Sequence, residues 1–188
     1  MLKMFLSVLA LGTLAFGHTN VGETSGFIHG FMHPIGGADH LLAMFAVGLF
    51  ASLVGGRALF LIPLSFVVMM AVGGVFGISG LEIPFVEEGI LASVVAIGAL
   101  AAFGLKLPTV LSVAIVGMFA IFHGVAHGAE MPINANGFYY ALGFMIATSF
   151  IHIAGIVFAM SIAKIFNSKL SRLTGIAISA AGVALASA

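Results

Sequence analysis

The chain has 188 residues, 62% of them hydrophobic and 6% charged, with a mean hydropathy of +1.28. A soluble globular domain carries about 25% charged residues, so this composition excludes one and predicts an all-α, polytopic membrane helix bundle with the lipid bilayer as its solvent. Six basic and six acidic residues balance with no basic run, which argues against a nucleic-acid partner, and the absence of cysteine removes disulfides, thiolate metal sites and thiol redox chemistry.

Residues 1–17 read MLKMFLSVLALGTLAFG. One lysine, a short apolar run and small residues around Ala15-Phe16-Gly17 are the layout of a cleavable signal peptide, with cleavage after Gly17. The alternative is an uncleaved first transmembrane helix. Residues 18–188 then form a single membrane domain.

Six mature transmembrane helices are expected at about 25–54, 58–79, 88–105, 108–128, 137–165 and 171–187, from the ~20 apolar residues that each crossing needs. The first segment is too long for one straight span, since thirty helical residues would run ~45 Å against ~30 Å of hydrocarbon. It also holds Pro34, Gly36 and Gly37. A break is therefore expected near Pro34–Gly37, with the main helix starting at about Ala38. Asp39 then lies in that helix's first turn, where a carboxylate suits the positive dipole end.

Charge placement predicts the orientation. With the signal removed, the mature N-terminus is outside. The loops after helices 1, 3 and 5 hold Arg57, Lys106, and Lys164, Lys169 and Arg172, and are cytoplasmic by the positive-inside rule. Glu82, Glu87, Glu88 and Glu130 fall in outside loops, and Glu23 in the N-terminal segment. The localisation that follows is a bacterial cytoplasmic (inner) membrane.

Polar residues are so few that the histidines stand out. His33, Asp39 and His40 fall within eight residues, at the mouth of a membrane helix. Intramembrane ionisable groups are expensive and mark sites and pathways. His40 and Met44 are four apart and share a helix face, and Asp39 either ligates an ion or orients a histidine. The bland reading is a capping aspartate with a histidine at headgroup level. A second cluster holds His123 and His127 at i and i+4, a spacing that points two imidazoles at one ion, with Glu130 three residues on. Its bland reading is a polar helix end facing water.

His29 and His33 have the same spacing if the stretch before Pro34 is helical. His152, in SFIHIAG, is either a packing residue bonded to Thr148 or Ser149, or a deep station on an ion path. His18 would become the N-terminal residue after cleavage, where imidazole and amine can chelate a divalent ion, although a flexible, functionless terminus is the favoured reading. Met44 and Met131 flank the clusters as soft donors, whereas Met69, Met70, Met145 and Met160 read as packing. Imidazole with carboxylate suits zinc, nickel, cobalt and iron, and disfavours magnesium and calcium. The pattern H-G-x-x-H occurs at His29–His33 and again at His123–His127, which raises an inverted repeat of three helices plus three.

The run His33-Pro34-Ile35-Gly36-Gly37-Ala38-Asp39-His40-Leu41-Leu42-Ala43-Met44 resembles the H-P-x-x-G-x-D-H-x-x-x-M signature of HupE/UreJ proteins, and Phe122–Glu130 resembles that family's second block. The resemblance covers the whole chain. It implies a small secondary permease for nickel or cobalt, of the kind associated with hydrogenase and urease maturation or cobalamin supply. The ion is then cargo, not a prosthetic group. The larger nickel/cobalt permeases differ in having four residues between histidine and Asp-His, where this chain has Pro34 to Ala38. The chain contains no P-loop. Two other readings use the same histidines. One is an intramembrane metal-dependent enzyme, a zinc hydrolase or di-iron oxidase, for which no separate nucleophile or base set stands out. The other is a passive metal-binding subunit of a larger transporter. A homo-oligomer is compatible with each of these.

Overall fold

The computed structural model describes residues 26–81, 83–166 and 168–187. The signal peptide expected over 1–17, together with His18, Glu23 and Glu82, lies outside the described residues. The described chain is all-helical: α1 (Gly26–Gly36), α2 (Ala38–Val54), α3 (Ala58–Ile78), α4 (Val86–Phe103), α5 (Thr109–Ala129), α6 (Gly137–Phe166) and α7 (Ser168–Ala186). Helices α3 to α7 are each long and apolar enough to cross a membrane, and α1 with α2, bent by 83° at their junction, pass the same test together, as a broken sixth span or a re-entrant loop would.

The break falls at Gly37, whose extended backbone (φ −100°, ψ 124°) ends one helix and starts the next. Helix α1 runs through Pro34 to Gly36, so the glycine and not the proline sets the corner. The Gly37 carbonyl then accepts from the Leu41 N–H and opens α2, with Asp39 in its first turn as the dipole argument requires.

Two charge placements differ from the expectation. Glu87 and Glu88 belong not to a loop but to the first turn of α4, again a favourable end for a carboxylate. Lys164 sits in the last turn of α6, while Lys169 and Arg172 lie near the start of α7. Arg172 donates from Nε to the Ala102 carbonyl (2.8 Å) and from Nη2 to the Phe103 carbonyl (2.9 Å). It thereby satisfies two of the carbonyls that the end of α4 leaves without an intrahelical partner.

Helices pack by close backbone approach at small residues, the usual membrane solution where lipid removes the hydrophobic drive. A Cβ at Gly48 would collide with the His152 carbonyl, and one at Gly155 with the Phe45 carbonyl, so α2 and α6 touch backbone to backbone. Gly73 and Gly124 do the same for α3 and α5. Gly98 on α4 and Gly175 on α7 meet each other's carbonyls, with Gly104 near Arg172 and Gly182 near Val94, so these two helices run antiparallel.

The main pairings are the first span with the fifth, the second with the fourth and the third with the sixth. Exchanging the two halves maps this set onto itself, as an inverted repeat would. The two H-G-x-x-H copies do not fit that exchange. One begins its span and the other ends it, so both lie at the same end of the bundle.

Phe50, Phe66, Leu49, Ile62, Val94 and Ile97 fill the interior, while Phe60, Val75, Val110 and Ile176 face outward, as a lipid-facing surface must.

Candidate metal centre

The corner at Gly37 carries His40 into the bundle against the C-terminal half of α5. His40, His123 and His127 each bring one ring nitrogen to a point where all three lie within 4.8 Å of one another. Their rings confirm the convergence, with centroids 5.0 Å apart for His40–His123 and 4.3 Å for His40–His127. His123 and His127 are buried, and the His40 side chain is only 12% exposed. Three imidazoles so placed, without intervening protein hydrogen bonds, match the donor set of a transition-metal site.

Hydrogen bonds set which nitrogens are free. Asp39 Oδ1 lies 2.9 Å from His40 Nδ1, so that ring donates Nδ1–H to the carboxylate and keeps its lone pair on Nε2. The Ser93 hydroxyl gives its single proton to the Ile90 carbonyl (2.6 Å) and therefore accepts from His123 Nε2–H (2.9 Å). His123 is left with its lone pair on Nδ1. The nitrogens without a protein partner are His40 Nε2, His123 Nδ1 and both of His127, the complement of these bonds. Asp39 is thus placed to orient His40, holding its ring in the tautomer that a metal would need.

A second group sits closer to the surface. His33, His127 and Glu130 also place one ligand atom each within 4.8 Å of one another. Glu130 Oε2 is 2.9 Å from His33 Nε2 and 3.9 Å from His127 Nδ1. The glutamate is half-exposed, His33 less so and His127 almost enclosed, so the two groups form a gradient from water inward through the shared His127. Phe144 packs against the His127 ring at 4.0 Å and closes the apolar side.

The two clusters distinguished in the sequence are therefore one connected site. His29 is exposed on α1 and is not drawn into either group. Met44 is fully buried and its sulfur accepts from the Thr148 hydroxyl (3.4 Å), so it points away from the surface group. His152 is buried and bonded to neither Thr148 nor Ser149. Thr148 donates to methionine sulfurs, Ser149 donates to the Met145 carbonyl, and both His152 nitrogens lack a protein partner. Ser93 was missed in the sequence. The available signal was that it is the only hydroxyl in the apolar run of α4.

A family model described as HupE / UreJ protein matches residues 6–185. The chain belongs to the HupE/UreJ family. A HupE/UreJ relative, Protein HupE of Rhizobium leguminosarum bv. viciae, is 41% identical over 180 residues, covering 96% of this chain and 94% of its own. No solved structure matches.

Proposed function

We propose that the protein is a secondary permease of the bacterial inner membrane that imports a divalent transition metal, nickel or cobalt, captured at the outer face. The observation that carries this reading is the set of three imidazole nitrogens, from His40, His123 and His127, within 4.8 Å of one another inside a membrane bundle. His33 and Glu130 receive the hydrated ion, and His127 passes it from that exposed group to the trio. Asp39 and Ser93 hold two rings so that lone pairs face the ion. Membership of the HupE/UreJ family supports the cargo.

Orientation rests on charge. Arg57 follows α2, Lys106 follows α4, and Lys164, Lys169 and Arg172 surround the turn from α6 to α7, all at the ends opposite the histidines. By the positive-inside rule that end is cytoplasmic, and the histidine end faces out.

The trio also favours a second reading, since three histidines with an open fourth position are a catalytic zinc donor set. A permease must release what it binds. An enzyme retains its metal stoichiometrically through purification in detergent, whereas a permease exchanges it within minutes.

The test is metal accumulation in cells expressing the chain, offered nickel, cobalt, zinc and manganese separately, against an Asp39→Ala, His40→Ala double variant of equal abundance. A rise in nickel or cobalt with the parent and not the variant is expected. Equal accumulation in both overturns the reading.

A further inference from the structure

Below the outer trio the chain holds a second cluster of donors, built around two thioethers and one histidine. Thr148 on α6 points its hydroxyl at two sulfurs, Met44 Sδ from α2 (3.4 Å) and Met70 Sδ from α3 (3.8 Å). His152 lies one turn further along the same face of α6, halfway down that 30-residue helix. All four residues are 2% exposed or less. Both His152 nitrogens lack a protein hydrogen-bond partner, and leaving a buried polar group unpaired costs about 1–3 kcal/mol. A folded chain that needed His152 only for packing would do better with leucine.

The cluster is joined to the trio through one ring. Phe66 on α3, fully buried, stands 5.2 Å from the His123 ring and 5.1 Å from the His152 ring, centroid to centroid. Gly48 on α2 lies against the His152 carbonyl, so α2 carries an outer-site residue, His40, and an inner one, Met44, and touches the backbone of the third.

We infer that His152, Met44 and Met70 form an inner transit station for the metal ion, with Thr148 orienting the two thioethers. This rests on the permease reading. It adds to it a place where specificity is set. Thioether sulfur is polarisable and soft, and accepts nickel, cobalt or copper far better than magnesium or manganese, which prefer oxygen. An ion that leaves the all-nitrogen trio can advance only if it accepts sulfur. A midplane site made by residues of three different spans is also the arrangement expected of a secondary transporter. The Phe66 ring lies between the two stations, so an ion passes from one to the other only when that ring moves.

The experiment uses the full chain in liposomes and compares the parent with Met44→Leu, Met70→Leu and with His152→Gln. Leucine for methionine conserves volume and costs less than ~1.5 kcal/mol, so folding is retained, as thermal melting checks. Initial Ni2+ entry is measured against concentration, and X-ray absorption of the Ni2+-loaded protein reports sulfur neighbours. Expected is a parent with a sulfur component, lost in the leucine variant. The maximal rate should fall by about tenfold or more in both variants, the size seen when supporting groups of a metal site are removed, at an unchanged half-saturating concentration. A parent without sulfur scattering, or variants that keep the parent's maximal rate, overturns the inner station while leaving the outer one standing. A parent that carries no metal overturns the permease reading and this inference together.

Discussion

The histidine trio and the region around His152 handle the same side chain in opposite ways. At the trio, His40 is tied to Asp39 and His123 to Ser93, each by a 2.9 Å bond that fixes a tautomer. His152 has no such tie: the Phe66 ring packs against it, and Thr148, one turn away on the same helix, faces two thioethers. Oriented imidazoles bind a metal tightly because ring position and tautomer are set before the ion arrives. An untethered imidazole beside weak sulfur donors binds less tightly and lets go. Capture followed by release is what conduction requires, and in the proposed permease this gradient in ligand quality would supply it.

The comparison can be broken most severely at His127, which belongs to both groups of ligands at the mouth. His127→Ala is expected to reduce metal uptake by more than about 100-fold, beyond the range for removing a supporting residue. Uptake near the parent level would show that the exposed and buried groups do not work in series. Asp39→Asn comes next. It keeps the shape but removes the carboxylate charge that holds His40 Nδ1–H, and a loss of ~10–100-fold in apparent affinity is expected, read from the concentration dependence of initial rates. Ser93→Ala should matter less, since one neutral hydrogen bond contributes about 1 kcal/mol, roughly fivefold in affinity. If Ser93→Ala equalled Asp39→Asn, His123 and not His40 would be the controlling ligand.

The sequence carried most of the fold because the chemistry of a bilayer leaves few choices. Segments of about 20 apolar residues had to be helices, and an over-long first segment had to bend, although it does so at Gly37 and not at Pro34. The His33–Met44 run and the His123–Glu130 run were visible for the same reason, since ionisable groups are conspicuous among hydrocarbon. Their merger was not visible. It depends on the 83° corner between α1 and α2, which turns His40 toward α5. No spacing within either run encodes that angle. Ser93 and Met70 were obscured differently. A serine or methionine in an apolar helix has many ordinary uses, and only the bonds to His123 and Thr148 single these two out. The H-G-x-x-H pair misled in a third way, since two stretches serving one site can look like copies of each other.

In the proposed permease His40, His123 and His127 hold one ion between them. The most direct measurement is Co2+ titration of the purified full chain in nanodiscs, followed by the visible ligand-field bands of the bound ion, for the parent and a His40→Ala, His123→Ala double variant. The account predicts nitrogen-ligand bands that saturate in the parent at low Co2+ and are lost or greatly weakened in the variant. Identical bands and identical saturation in both proteins would contradict it.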